Sequence, residues 1–434
     1  MHKKILIVLF CVSSSLFSQT KTALSKTILP SIEEILQQPE DSINIGVACL
    51  SLAKEFYPTL KHDFFLYAFD YLANRYKHYF GGYTKPDDKI GALNTFIYRK
   101  GYWNDSITFD YDRDDLKGKN IDNYYINCYI ARKKGNCLTM PMLYLILAER
   151  LDIPLYAVRA PNHFFVRYVP KNKPKDVSGN IEATSGGGNA SNEMYIKDMQ
   201  IPKKGIQTGM YLRTLTKKEY IASIMLFNVN QYIERKQFDK AQHYAEIAMQ
   251  YDSTLVTARW YYGLVHYKRG WYLKEQMQAE IQSEIETSKI IAQNRANMPQ
   301  SQTSYDPMLS FPNPTNNSQK EYYIGNTKIV NGRPQISYYS VPTPPHNIFG
   351  EFGTGILQEP DIQQRQQVIT PELQNDIEAI RERYLPIIEK NLEVWYTLKE
   401  KAKDMGMATG LQTQTSFFKK QTKKLQQFKS EGDK

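Results

Sequence analysis

Three side chains in this sequence could act together on a carbonyl: Cys137, His163 and Glu182, separated by 26 and then 19 positions. A thiol that attacks an acyl carbon needs a base within hydrogen-bond reach. The base in turn needs a partner that fixes its tautomer. Cys137 opens the stretch Gly135-Asn136-Cys137-Leu138-Thr139-Met140-Pro141-Met142-Leu143-Tyr144, which runs on as Leu145-Ile146-Leu147-Ala148-Glu149-Arg150. Leu143, Leu147 and Leu151 fall four apart with Met140 and Tyr144 beside them, which predicts a helix with one apolar face. Pro141 fits that helix only in its first turn, where its missing N–H leaves no helical bond unmade. Cys137 therefore belongs at or just before the helix N-terminus. Exposed N–H groups and the helix dipole at such a position favour a thiolate.

The base and the acid need rigid positions too. Leu155-Tyr156-Ala157-Val158-Arg159 reads as a strand, His163-Phe164-Phe165-Val166-Arg167-Tyr168 as a second, and Asn180-Ile181-Glu182-Ala183-Thr184 as a short third. Antiparallel neighbours lie about 4.8 Å apart, so His163 and Glu182 can meet side by side. Zinc takes Cys, His and Glu ligands as well, but nothing here supplies paired ligand spacing, so no metal and no cofactor is expected.

Gly-Asn-Cys before an apolar helix, Pro161-Asn162-His163-Phe164-Phe165-Val166-Arg167-Tyr168, and Asn180-Ile181-Glu182-Ala183-Thr184 resemble the transglutaminase-like core of the SirB family. So does the upstream run through Leu93-Asn94, Tyr98-Arg99-Lys100-Gly101-Tyr102 and Ile126 to Lys134. The resemblance covers residues 45–215 and implies an α+β fold of helices with a small antiparallel sheet. It also implies a papain-like arrangement with Cys137 as nucleophile, His163 as base and Glu182 as orienting acid. Two departures stand out. Cores of this kind usually carry Asp where this chain has Glu182, and Phe164-Phe165 replaces an Ala-Trp pair after the histidine. Some members of the family lack the cysteine, so the resemblance also admits a fold without turnover.

A chain of 434 residues exceeds one compact core. Lys3-Lys4, the apolar run Ile5 to Val12 and the small residues up to Ser18 read as an export signal over residues 1–18. The expected location is thus periplasmic or extracellular. The formal charge of +10 becomes +8 once Lys3 and Lys4 are removed. It is spread along the chain, as a solvated surface is, and not gathered into a nucleic-acid footprint. Peripheral contact with an anionic envelope surface stays open. Three cysteines then remain. Cys49 reads as a buried inert thiol, and a bond between Cys128 and Cys137 would silence the site.

Residues 19–44 read as a linker with one helix, and Ile43 to Tyr83 as two helices broken near Pro58. Asp110 to Asp115 reads as a solvated acidic loop, Ile121 to Lys134 as one helix, and Ser185 to Asn192, with three glycines, as a mobile loop that could rim the site. From residue 220 the pattern is helical. Phe238, Ala241, Ala245 and Ala248 match a tetratricopeptide repeat, and a weaker second copy follows with Gly263, Gly270 and Tyr272. This region, 220–295, is expected to support the core or bind a protein partner; the site would take a peptide or protein substrate. Residues 296–369 are a Pro/Gln/Asn-rich linker with a hairpin signal at Asn331-Gly332. Residues 370–406 form a helix capped by Thr370 and interrupted at Pro386. Residues 407–434 are a basic tail, so the fold class is α+β followed by helices and a partly disordered C-terminal region. Two functions compete: a thiol enzyme that transfers or hydrolyses acyl groups, and an inactive transglutaminase-fold scaffold of the cell envelope.

Overall fold

A computed structural model describes residues 28–170, 179–297, 321–324, 327–330, 333–335 and 370–407. The expected leader and the basic tail beyond Met407 lie outside the described residues, as does most of the linker. The chain divides into two compact units, residues 1–274 with 385–434, and residues 275–384.

The first unit begins with α1 (Ile32–Gln37), α2 (Ile45–Lys54), α3 (His62–Phe80) and α4 (Pro86–Tyr98). Strand β1 (Asp110–Tyr111), helix α5 (Ile126–Arg132), strand β2 (Lys134–Gly135) and helix α6 (Thr139–Leu151) follow. Next come β3 (Leu155–Ala160), β4 (His163–Tyr168), β5 (Gly179–Glu182) and β6 (Gly188–Asn189), then α7 (Asn192–Asp198) and α8 (Lys203–Gln207). The helical part comprises α9 (Lys217–Glu234), α10 (Phe238–Tyr251) and α11 (Val256–Ala296).

Helix α6 is the centre of this unit. The expectation of one apolar face is too modest, because every residue from Thr139 to Ala148 is buried. A helix apolar all round is a core helix. Fully burying each of Leu143, Ile146 and Leu147 contributes roughly 1.5–3 kcal/mol. Pro141 sits in the first turn, as the sequence requires. The chain in front of α6 is tied down twice. β1 pairs in parallel with β2, and the Asp112 N–H donates to the Gly135 carbonyl at 2.7 Å.

The four-stranded antiparallel sheet has the order β3-β4-β5-β6. Asn162, at φ 51°, makes the tight turn between β3 and β4 that delivers His163 to the sheet's end, where it pairs with Ala160. β3 is anchored to the helical part by a buried charged cluster. Arg159 donates to Asp252 at 2.8 Å, to Ser223 at 2.6 Å and to the Met210 carbonyl at 2.8 Å. Arg213 adds bonds to Glu219 at 2.7 Å and to Thr254 at 3.0 Å.

Several expectations are corrected. Residues 121–134 do not form one helix: a 3-10 turn over Ile121–Tyr124 precedes α5. The acidic loop is not uniformly solvated, since Asp112 is buried and held by Arg132 at 2.7 Å and Asn123 at 3.0 Å. The glycine-rich stretch is not a mobile loop. Gly186 and Gly187 are buried at φ 71° and 77°, and Gly188 pairs with Glu182. The second helical repeat does not form, because α11 continues through Gly270 without a turn. That glycine serves close packing instead: an added Cβ would meet Asn391 and Leu392 at 3.5 Å.

Within this unit the last turns of α12 (Pro371–Asp404) run antiparallel to α11, with Tyr267 and Trp395 ring centroids 5.3 Å apart and His266 bonded to Asn391 at 2.8 Å. Helix α12 continues through Pro386 rather than ending there.

The second unit holds the outer parts of α11 and α12, where Arg383 pairs with Glu280. It also holds a three-stranded antiparallel sheet of β7 (Glu321–Ile324), β8 (Thr327–Val330) and β9 (Arg333–Gln335). Val330 pairs with Arg333, and the expected turn residues Asn331-Gly332 lie outside the described residues. Thr370 caps α12 by accepting from the Leu373 N–H at 3.2 Å.

Candidate active site

Cys137 lies between β2 and α6, partly exposed, two residues before the first helical residue. Asn136 builds that junction. Its Oδ1 accepts the N–H groups of Leu138 at 2.9 Å and Thr139 at 3.3 Å, which caps the helix start. The thiol faces the Asn162 carbonyl at 3.6 Å and is in electrostatic contact with His163. Cys49, Cys128 and Cys137 are all free thiols. Cys49 is buried, and burial pushes its thiol far up. Burial also raises Cys128, to about 11.

His163 and Glu182 are each 1% exposed, and His163 Nε2 lies 2.7 Å from Glu182 Oε2. The sequence-predicted residues thus meet: the strand pairing brings the imidazole to the carboxylate, and the β3–β4 turn brings it to the sulfur. With Nε2 on Glu182, Nδ1 is the ring nitrogen left for the thiol. Burial alone opposes a charged imidazole. The Glu182 carboxylate, its hydrogen bond to the ring and the neighbouring Cys137 sulfur override it and hold His163 up at about 10. Burial likewise opposes the Glu182 charge, yet His163, Thr184 and Tyr195 together hold its carboxyl below the usual range.

Two of those partners had no sequence signal. Thr184 donates to Glu182 Oε1 through its hydroxyl at 2.6 Å and its N–H at 3.0 Å. Tyr195, on α7, donates to Oε2 at 2.7 Å, and its ring stacks on Phe165 at 4.0 Å. Four donors converge on Glu182, so the site is built for an acceptor-only carboxylate. Because the carboxylate cannot donate, Nε2 carries a hydrogen, and with the ring held up at about 10 Nδ1 carries the second near neutral pH. The glycine turn supports the acid from behind: the Gly187 N–H donates to the Glu182 carbonyl at 3.0 Å, and Asn94 donates to the Gly187 carbonyl at 3.0 Å. A glycine run directly after the acid was the available signal for this turn.

Among the described residues no group of three metal-ligating side chains forms a site, and no helix is long and apolar enough to cross a membrane.

Residues 64–205 match the family model of the transglutaminase-like superfamily. A UPF0162 protein of Xylella fastidiosa (strain Temecula1) is 26% identical over 148 residues, 33% of this chain and 48% of that protein. The chain therefore spans about half the length of that relative. F-box only protein 21 of Homo sapiens is 35% identical over 63 residues, 13% of this chain and 10% of that protein. No solved structure matches. The strand order, the helix-start cysteine and the family match agree, and residues 64–205 are a transglutaminase-like superfamily domain.

Proposed function

We propose that this domain transfers or hydrolyses acyl groups through Cys137, with His163 as the base and Glu182 as the group that orients it. The supporting observation is the buried imidazole, hydrogen-bonded to the four-donor carboxylate and in electrostatic contact with the sulfur of the partly exposed Cys137. With His163 held up at about 10, the imidazole already carries the proton near neutral pH, so Cys137 Sγ attacks the carbonyl carbon as the thiolate and the carbonyl π pair moves onto oxygen. The C–N or C–O bond then breaks, and the leaving amine or alcohol departs with that proton. Water or an amine resolves the thioester, giving a hydrolase or a transglutaminase.

The finer placement is in the SirB family, whose motifs the chain carries at Cys137, His163 and Glu182. Export by residues 1–18 and a peptide or protein substrate in the envelope complete the proposal, with α9–α11 supporting the core. Iodoacetamide should label Cys137 near neutral pH, and His163→Ala should slow that labelling strongly. An inert Cys137, or labelling indifferent to His163, overturns the assignment.

One observation favours the competing reading, a fold without turnover: the Leu138 and Thr139 N–H groups that would hold an oxyanion are already bonded to Asn136.

A further inference from the structure

Helix α3 buries one face and leaves aromatic rings on the other. Phe69, Ala73 and Tyr76 are its buried residues. The outer face of a surface helix ordinarily carries charged and polar residues. Here Tyr67, Tyr71, Arg75 and Tyr79 recur every four positions, so they share one stripe. The three tyrosines are exposed, as is Tyr102 in the 3-10 turn Tyr102–Asn104 beside them. A single exposed ring needs no explanation, whereas a contiguous series marks an interaction surface.

The series is continuous. Tyr67 stacks on Tyr71 with centroids 6.3 Å apart. The Arg75 guanidinium lies 5.7 Å from the centres of both the Tyr71 and the Tyr79 rings. Tyr79 meets Tyr102 at 5.2 Å, and Tyr102 meets Trp103 at 5.1 Å. Arg75 ties the parts together. It donates to the Tyr71 hydroxyl at 2.9 Å, to the Trp103 carbonyl at 2.9 Å, to the Tyr102 carbonyl at 2.8 Å and to Asp105 at 3.0 Å. Gly101 leaves the indole its seat, because a Cβ there would lie 2.4 Å from the Trp103 ring. The rings are therefore placed before any ligand arrives, which lowers the ordering cost of binding. From Tyr67 to Tyr79 the ladder runs about 18 Å along the helix.

Three features narrow the partner. Flat apolar faces in a row match the C–H faces of pyranose rings in an extended chain. The phenol oxygens of Tyr67, Tyr79 and Tyr102 make no hydrogen bond among the described residues, so they are free to meet sugar hydroxyls at the ring edges. Charge decides the rest. A single-stranded nucleic acid also stacks on such rings, but it brings a phosphate with every base and needs free cations to meet it. The guanidinium in this ladder is already paired with Asp105, which suits an uncharged chain. We propose that the face formed by α3 and the Tyr102 turn docks an extended, uncharged, β-1,4-linked glycan, whose rings stack on Tyr67, Tyr71, Tyr79 and Tyr102. This surface shares no residue with the Cys137 site, and the proposal does not rest on Cys137 being a nucleophile.

Calorimetric titration of the full chain with cellohexaose and with the β-1,4-linked hexamer of N-acetylglucosamine tests it. At least one should bind, and maltohexaose, which is α-linked and coiled, should bind more weakly. Tyr67→Ala and Tyr102→Ala should each weaken binding about 3–10-fold, the worth of one aromatic stack. Their side chains are 67% and 72% exposed, so the melting temperature should hold in both. Tyr67→Phe keeps the ring and should keep most of the affinity. Tyr156→Ala, on the exposed side of β3 and outside the ladder, should change nothing. The proposal is overturned if neither β-linked hexamer binds at millimolar concentration, or if binding is indifferent to both alanine substitutions. Tighter binding of oligothymidylate than of either hexamer overturns it in favour of a nucleic acid. A dimer of the chain that Tyr102→Ala dissociates overturns it in favour of a second copy.

Discussion

One sheet carries two buried charged clusters, and they are built to different ends. Around Arg159 on β3, Asp252, Ser223, Thr254 and the Met210 carbonyl take the guanidinium's hydrogens, and no thiol stands among them. Around His163 on β4, the chain of bonds begins in the interior at Thr184 and Tyr195, passes through Glu182 to the imidazole, and comes out beside the partly exposed Cys137. Both clusters bear the desolvation cost of buried charge. The closed one returns it as a join between the sheet and α9–α11. The open one holds an imidazole in a fixed orientation beside a reactive atom. Burial and ion pairing by themselves do not mark a site; a path that ends at an exposed reactive group does.

The sharpest way to break this contrast is to damage each cluster at its acid. Glu182→Gln puts an amide NH₂ where two donors already point, whichever oxygen it replaces. Acyl transfer to p-nitrophenyl acetate should fall about 10²–10⁴-fold, the range of general-base contributions. Asp252→Ala strands Arg159, and should cost about 3–5 kcal/mol of unfolding stability in urea titrations. Its surviving folded molecules should keep the acylation rate. If Asp252→Ala silences the sulfur in folded protein, the two clusters are one machine and the distinction fails.

Gly187→Ala comes next. The residue sits at φ 77°, and an added Cβ would lie 1.9 Å from Asn94 Oδ1. Left-handed strain and overpacking together should cost about 2–4 kcal/mol, read from the shift of the urea midpoint. Acylation should drop as well, because the turn holds the Glu182 backbone. A substitution that proves neutral would return this stretch to the mobile loop its composition suggests.

A smaller effect is visible in pH. His163 is held at about 10 against an ordinary 6.5, so its proton favours the folded state. That contribution is complete below about pH 6.5 and is lost as pH rises toward 10. Glu182 is held below its ordinary 4.5, so its contribution is complete above that value and fades as pH falls further. The open cluster therefore stabilises most between about pH 4.5 and 6.5. The melting temperature should fall from pH 6.5 to 9 by roughly 2–4 °C per kcal/mol lost. In His163→Gln that fall should shrink. An identical fall in both proteins would place the titration elsewhere, for the Arg159 cluster contains no histidine.

The sequence made the open cluster easier to read than its supports. A cysteine before an apolar helix and a histidine opening a β-period run are local signals, and β4 begins and ends where the pattern puts it. Other features depended on tertiary partners. Asp112 reads as solvated until Arg132, twenty positions on, closes over it. The Gly186-Gly187 pair reads as flexible by composition, whereas positive φ in a packed turn is what the fold uses it for. Gly270 marks a helix end by propensity, but α11 runs straight through it and α12 packs close at that point. Tyr195 could not be found at all, since a hydroxyl thirteen positions past its acceptor has no periodic signature.

Tyr195 gives the finest test. Its hydroxyl is one of two donors on Glu182 Oε2, and its ring is stacked on Phe165 with an interplanar angle of 8°. Tyr195→Phe keeps the stack and removes only the bond. Glu182 is not orphaned, because His163 still serves Oε2 and Thr184 still serves Oε1 twice. The loss should thus be that of one hydrogen bond to a charged group, about 1–2 kcal/mol, with acylation down less than about tenfold. Ser223→Ala is its counterpart in the closed cluster: it removes a hydroxyl that accepts from Arg159 while Asp252 still holds the guanidinium. Its stability cost should be similar, about 1 kcal/mol. Acylation should not change, because no path leads from Ser223 to the sulfur. Equal kinetic effects from the two substitutions would mean that the sheet transmits disturbance to Cys137 from either side, and that the open end of the His163 cluster is not what sets it apart.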